Sequence, residues 1–110
     1  MEIVDLNAAV PYDPDRFAAD AVATRQHGNV RVIRLAPGQA LPPHTHGASD
    51  LFLYVAEGEA VLETDGGDRP FRTGELAVLA GAEELRVSNA GDVGVTLLAF
   101  LAPPFPPAQD

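Results

Sequence analysis

Cysteine is absent from the 110-residue sequence, which excludes disulfides, thiolate metal sites, iron–sulfur clusters and cysteine nucleophiles together. Lysine is absent too, so Schiff-base chemistry and a phosphate-binding lysine loop are excluded. A net charge of −9 disfavours nucleic acid and anionic membranes as partners. The sequence shows no apolar run long enough to span a membrane and no visible secretory leader. We therefore expect a single cytoplasmic domain that binds neither nucleic acid nor a membrane.

Short apolar segments separated by turn residues predict an all-β fold. Ten glycines, ten prolines and 46% hydrophobic residues supply both the turns and the core. The segment Asp65-Gly66-Gly67-Asp68 predicts a hairpin turn, and no helical period of useful length is present. These features indicate a mainly antiparallel sandwich or small barrel. The predicted strands are residues 30–35, 51–56, 60–64, 70–72, 76–79, 85–88 and 95–101.

Both ends of the sequence differ in character from its middle. We predict a short strand at residues 2–6 and a turn or short helix over Arg16–Ala23, within an N-terminal segment of residues 1–24. The barrel then occupies residues 25–101. The proline-rich tail, residues 102–110, predicts an extended segment. This tail is a strap over the barrel, a loose terminus or a proline motif that binds a partner.

One histidine cluster carries the clearest chemical signal. His44 and His46 stand at positions i and i+2 of an extended segment, so their imidazoles point the same way. Imidazole is the commonest nitrogen ligand for ions such as Zn, Ni, Fe and Mn. A His-x-His pair is also short enough to occur by chance, in which case hydrogen bonds satisfy the two rings.

Around this pair, the sequence resembles the first motif of the cupin superfamily. That motif is a glycine, five residues, His-x-His, three or four residues, a glutamate, six residues and a glycine. Gly38, the triplet His44-Thr45-His46 and Gly58 match it, and residues 74–89 echo the second motif. The resemblance spans about residues 30–101. It implies an all-β, cupin-like double-stranded β-helix, which is a jelly-roll barrel.

The resemblance also implies a ligand set and an assembly. In the family, both histidines of the first motif, its glutamate and a histidine of the second motif usually hold a divalent metal. Single-domain cupins often form a homodimer through their N-terminal strands, for which residues 2–6 are the natural candidate.

This sequence departs from the family pattern at two ligand positions. The glutamate position is Leu51 and the second-motif histidine position is Leu85, and leucine has no lone pair to offer. Asp50 is the best replacement ligand, although one residue along a strand moves a side chain to the opposite face. We expect a divalent ion, Zn, Ni, Fe or Mn, to be weakly held by His44, His46 and Asp50, or absent.

The arginines in predicted strands offer a second kind of chemistry. Arg31, Arg34 or Arg86 could bind a carboxylate ligand if its side chain faced inward. Arg31 and Arg34 lie on opposite faces by strand parity, so at most one of them points in. The more common arrangement places such arginines on the solvated sheet face, paired with acidic residues.

Three functions stay open at this stage. The first is a small cupin-type barrel that binds a small molecule in its interior, in a pocket formed by Leu51, Tyr54 and Leu85 beside the two histidines. A second is a metal-dependent isomerase, lyase, cyclase or dioxygenase that uses His44 and His46 as ligands. The third is a structural or partner-binding module.

Overall fold

The computed structural model describes residues 1–107 of the chain. Within that range no helix has the length and apolar character needed to cross a membrane. The elements are α1 (Leu6–Ala9), β1 (Ala18–Arg25), β2 (Gly28–Leu35), β3 (Asp50–Glu57), β4 (Glu59–Thr64), β5 (Gly67–Arg72), β6 (Leu76–Leu79), β7 (Val87–Ser88) and β8 (Val95–Ala102). The strands form an antiparallel five-stranded sheet in the order β1-β2-β8-β3-β6 and a three-stranded sheet in the order β5-β4-β7. This architecture confirms the predicted all-β jelly roll.

The hydrophobic core lies between the inner faces of the two sheets. In β3, Leu51, Leu53 and Val55 are buried, whereas Phe52 between them is exposed on the outer face. This period of two is expected of a strand with one buried face. The second sheet contributes Leu62 and other apolar side chains to the same cluster. Burial of these apolar surfaces is the main force that holds the sheets together.

A backbone pairing between two segments completes the wall of the second sheet. Residues 38–46 run antiparallel to residues 81–89, with isolated bridges that pair Ala40 with Ser88 and His44 with Leu85. The Leu41 amide donates to the Val87 carbonyl at 3.1 Å. Further along, the Leu85 amide donates to the His44 carbonyl at 2.9 Å. This pairing fixes the backbone of the histidine segment relative to the rest of the barrel.

Most predicted strands and the predicted hairpin turn are confirmed. Thr64 pairs with Gly67 across the two-residue turn between β4 and β5. The prediction of a turn or short helix over Arg16–Ala23 is wrong, because β1 occupies most of that segment and pairs with β2 along its length. Alanine favours helices only weakly, and tertiary pairing overrides that preference.

The strand predicted at residues 2–6 is also wrong for this chain. Asp5 instead caps the single turn of α1, where its side chain accepts a hydrogen bond from the Asn7 amide at 3.0 Å. The following backbone is held by the buried guanidinium of Arg34. Arg34 donates to the Leu6 carbonyl and, at 2.7 Å, to the Val10 carbonyl. These bonds fix the N-terminal segment against the outer face of the large sheet.

Residues 103–107 form a strap, and we use that name for them below. The buried Ser49 hydroxyl donates to the Pro103 carbonyl at 2.6 Å. Asn29, also buried, binds the Phe105 backbone twice, as donor to its carbonyl at 2.8 Å and as acceptor from its amide at 3.0 Å. The extended tail is therefore a strap over the barrel along this stretch, and residues 108–110 of the predicted tail lie outside the described residues.

The close approach of two loops next to the histidine segment gives a test of the fold. A Cβ atom at Gly81 would lie 2.0 Å from the Gly47 carbonyl oxygen and 2.8 Å from that of Ser49. We expect Gly81→Ala to lower the free energy of unfolding by about 2–3 kcal/mol, because backbone atoms must move to admit the methyl group. Urea unfolding at neutral pH measures this loss.

The matched control is Gly66→Ala, in a turn where a Cβ would meet only the Thr64 hydroxyl at 3.8 Å. We expect that change to stay within about 0.5 kcal/mol of the wild type. Equal stability of the Gly81 and Gly66 variants would contradict the close packing of these loops.

Candidate functional site

A cavity of about 400 Å³ lies between the strap, the inner face of the large sheet and the histidine segment. Its floor is formed by strands β1, β2, β3 and β8, and its remaining sides by the segments that carry His44, Leu85 and Phe105. Ligand pockets in proteins commonly have this size and mainly apolar lining. The apolar walls include Phe17, Ile33, Leu41, Leu51, Leu85, Leu101 and Phe105.

The two histidines meet at one side of this cavity. Their Nε2 atoms lie 3.0 Å apart, and the ring centroids are 4.5 Å apart in an edge-to-face arrangement. His44 Nδ1 lies 2.9 Å from the Pro42 carbonyl oxygen. A carbonyl only accepts hydrogen bonds, so His44 carries its proton on Nδ1 and presents a lone pair at Nε2. In the neutral pair, His46 Nε2–H then donates to that lone pair.

Burial sets the properties of His46. The residue is only 3% exposed, and its ring packs edge-to-face against Phe105 with centroids 5.3 Å apart. Its Nδ1 atom is buried and has no hydrogen-bond partner among the described residues. Loss of hydration on burial, followed by the nearby charge of His44, lowers the pKa of His46 below its ordinary value. His46 therefore favours its neutral form.

The two leucines that replace family ligands both line the cavity. Leu51 is 1% exposed and lies in β3 beside Leu101 of β8. Leu85 is 2% exposed and pairs across the backbone bridge with His44. Two apolar side chains therefore lie beside the imidazoles, at the positions where the family motif has a carboxylate and a third imidazole.

The histidine pair satisfies only part of what a divalent metal requires. Two nitrogen ligands about 2.1 Å from one ion and at right angles would lie about 3.0 Å apart, which is the Nε2–Nε2 distance found here. Within residues 1–107, however, no cluster of three or more His, Cys, Asp or Glu side chains is placed to hold an ion. Protein sites usually supply three or four ligands. The residues present therefore do not fit a firmly held resident metal.

The structure does not bring Asp50 and Tyr54 to the cavity. Asp50 is the exposed first residue of β3, and Tyr54 is half-buried on the outer face of the same strand. Both have the opposite strand parity from the inward-facing Leu51. The loop over residues 47–49 leaves Asp50 facing outward, so neither residue contributes to the pocket predicted from the sequence.

Several residues of the site lie outside the sequence-based prediction. Phe17 and Phe105 close the cavity from opposite ends of the chain, and Ala19 and Ala99 leave room beside Arg31. No local pattern indicates that residues so distant in sequence meet at one site. In the sequence, Phe17 and Phe105 are aromatic residues beside polar or proline-rich segments. This pattern is too general to identify the wall of a cavity.

The arginines take three different positions. Arg31 faces inward and lines the cavity, whereas the buried Arg34 lies on the opposite face of β2. Opposite faces agree with the predicted parity. The arrangement favoured from the sequence, a solvated arginine paired with an acid, is wrong for both residues, since Arg34 is buried and Arg31 lines the cavity. Arg86 is exposed and pairs with Glu84 at 2.5 Å, as that expectation describes.

A second, larger depression of about 630 Å³ lies beside β4 and β6. It contains neither histidine, and its rim carries the acidic side chains Glu63, Asp65, Glu83 and Glu84. Glu83 accepts a hydrogen bond from the Ala80 amide at 2.9 Å, which accounts for its position in the loop. We therefore place the candidate site in the smaller histidine-lined cavity.

Fold and site together define a small jelly-roll barrel with a histidine pair at its interior cavity. The sequence profile of the cupin domain matches residues 31–101. The chain belongs to the cupin family.

Individual relatives agree with this assignment. The chain is 30% identical over 71 residues to the tetracenomycin polyketide synthase protein TcmJ of Streptomyces glaucescens, covering 64% of this chain and 48% of that protein. It is 34% identical over 83 residues to protein SchB of Streptomyces halstedii, covering 76% and 59%. The chain thus spans about half the length of these curated relatives. The crystal structure of TT1209 from Thermus thermophilus matches with 30% identity and a TM-score of 0.84, covering 94% of this chain and 99% of that one.

The environment of His46 predicts a pH dependence of stability. The unfolded chain binds a proton at His46 near the ordinary pKa of 6.5, whereas the folded chain binds it only at lower pH. As pH falls through 6.5, unfolding therefore takes up a proton, and the free energy of unfolding decreases. We expect His46→Gln to lose less stability than the wild type between pH 7.5 and 5.5.

Urea unfolding at the two pH values measures this difference, and a nuclear magnetic resonance titration of the imidazole measures the pKa directly. A His46 pKa at or above 6.5 in the folded protein, or the same pH dependence in both proteins, would contradict the effect of burial.

Proposed function

We propose that this cupin binds a small, largely apolar organic molecule in the barrel interior. The observation that carries the proposal is the cavity of about 400 Å³ in which Leu51 and Leu85 occupy the positions of two family metal ligands. Each leucine favours an organic ligand over an ion, because it offers apolar contact and no lone pair. The cavity is large enough for a molecule of one or two rings.

The cavity walls favour a ring-bearing ligand. Phe17 and Phe105 line the cavity together with aliphatic side chains of the large sheet. Aromatic side chains contact ligand rings face to edge or in offset stacks, which adds to the energy of burial. The strap carries Phe105 and is held by Asn29 and Ser49, so this part of the wall is already formed before a ligand binds.

The histidine pair gives the apolar cavity a polar side. The hydrogen bond from His44 Nδ1–H to the Pro42 carbonyl fixes one tautomer, and the Nε2 atoms of both rings are engaged with each other. In this state the pair orients a ligand by contact and by its local dipole. A ligand hydroxyl can also exchange for one partner of the Nε2–Nε2 hydrogen bond.

Similarity to a polyketide synthase protein suggests one source of such a ligand. TcmJ carries that name, and this chain matches about half of it. Polyketides are carbon-rich molecules, and those with one or two rings suit an apolar cavity of this size. We therefore include ring-bearing polyketides among the proposed ligands.

Metal-dependent catalysis is the second candidate, and the Nε2–Nε2 distance of 3.0 Å favours it. An ion at this point would have two protein ligands, with the rest of its shell left to water or substrate. We propose that any ion taken up here exchanges readily. The organic ligand is accordingly our preferred occupant.

Filling part of the cavity should weaken the binding of a neutral apolar probe. We expect N-phenyl-1-naphthylamine, whose fluorescence rises in apolar surroundings, to bind the wild type. Ala19→Leu should weaken that binding about tenfold or more, the discrimination that a few methylene groups give in an apolar pocket. Ala19 lines the cavity from the edge strand β1, so the longer side chain enters the binding space.

Ala56→Leu is the matched control, since Ala56 is an exposed alanine of β3 that does not line the cavity. That variant should bind the probe like the wild type. Absence of probe binding by the wild type, or equal affinity in the Ala19 and Ala56 variants, would contradict a ligand site in this cavity.

A further inference from the structure

Most arginine side chains are already engaged in hydrogen bonds, ion pairs or a contact with an aromatic ring. Arg34 donates to two backbone carbonyls and to the Thr96 hydroxyl, and Arg16 is exposed and lies over the Phe17 ring. Arg31 forms no ion pair with an acidic side chain of residues 1–107. The arginines paired with glutamates are Arg25, Arg69, Arg72 and Arg86.

Arg31 lies on the inner face of the large sheet and lines the cavity. Its neighbours across the sheet are alanines, Ala21 in β1 and Ala99 in β8, so small side chains leave space around the guanidinium. One of its nitrogens, Nη2, donates to the Ala19 carbonyl at 3.0 Å. A guanidinium has five N–H donors in a planar fork. This single bond therefore uses only part of its donor capacity.

The surroundings of Arg31 favour a carboxylate as its partner. No acidic side chain lines the cavity among the described residues, so nothing there competes for the guanidinium. Charge-assisted pairs of arginine and carboxylate are often bidentate, and apolar surroundings strengthen them. A carboxylate is a monoanion that is less strongly hydrated than a phosphate. Its transfer into a mainly apolar cavity therefore costs less free energy.

We infer that the ligand of this cavity is a ring-bearing carboxylate whose carboxyl group binds the Arg31 guanidinium. The inference rests on the proposed function, because it assigns the polar end of the molecule that the cavity holds. In this arrangement the ring system lies among the apolar side chains, including Phe17 and Phe105. Arg31 thereby selects acids over neutral molecules of the same shape.

The test compares two probes of matched shape, 2-naphthoate and the neutral 2-naphthamide, by titration calorimetry of the full chain. Measurements at pH 8 keep an ordinary imidazole neutral, so that a histidine cation does not bind the carboxylate. We expect the wild type to bind 2-naphthoate about tenfold or more tightly than 2-naphthamide. Arg31→Gln should bring the two affinities within about twofold of each other, because it weakens the binding of 2-naphthoate.

Two further variants separate the bidentate geometry of the Arg31 guanidinium from its positive charge. Arg31→Lys keeps the cation but loses the bidentate geometry, so it should retain part of the preference for 2-naphthoate. Arg25→Gln removes the same charge from an exposed position in β1 and should bind both probes like the wild type. Circular dichroism melting curves establish that each variant is folded.

The outcomes distinguish this inference from the proposed function. If the wild type binds both probes equally, or if Arg31→Gln keeps the preference for 2-naphthoate, the role of Arg31 is refuted while the cavity still binds ligands. If the wild type binds neither probe, both the inference and the proposed function are refuted. The wild-type comparison alone decides the preference for a carboxylate, even if a variant does not fold.

Discussion

The antiparallel pairing of residues 38–46 with residues 81–89 is the constraint on which the site depends. The segment that carries both histidines contains too many prolines and turn residues to form a regular strand by itself. Reciprocal backbone hydrogen bonds between His44 and Leu85, at 3.4 and 2.9 Å, anchor it to the opposite segment. At its end, the His46 amide donates to the Gly81 carbonyl at 2.8 Å. This anchoring lets two side chains, His44 and His46, meet at a fixed distance.

The same pairing makes position 85 decisive for the chemistry of the site. It places the side chain of residue 85 beside the histidine pair, and β3 brings residue 51 into the same cavity. With leucine at both positions, the barrel keeps its backbone geometry while its interior gains apolar surface and loses two ligands. A jelly roll hosts many functions because its loops and inward-facing side chains vary on an unchanged frame. Among the described residues, the polar side chains that line the cavity are the histidine pair and Arg31.

The parts of the fold that depend on local patterns could be predicted from the sequence. Strand β3 alternates buried and exposed side chains, and the Asp65-Gly66 turn has a strong chemical signature. The pairing of His44 with His46 follows from their spacing on an extended chain. The spacing of the family motifs likewise predicts that Leu51 and Leu85 lie beside the two histidines.

The rest depends on tertiary contacts that have no local signal. Strand parity shows that Arg31 and Arg34 face opposite ways, but only packing shows which one faces the cavity. Strand β1 is rich in alanine, and a bulge between Ala21 and Ala23 interrupts its alternation of inward and outward side chains. Its sequence therefore shows no regular period of two. The strap is fixed by Asn29 and Ser49, which are distant from it in sequence. Tyr54 faces away from the cavity because its strand parity is opposite to that of the buried Leu51.

We propose that the barrel interior binds an organic ligand and holds no metal firmly. The metal content of untagged protein, dialysed without chelator and measured by plasma mass spectrometry, tests this proposal. The double variant His44→Ala/His46→Ala is measured in parallel. We expect metal well below one equivalent in both proteins, because residues 1–107 place two nitrogen ligands at the site and no third. Near one equivalent of metal in the wild type, lost in the double variant, would contradict it.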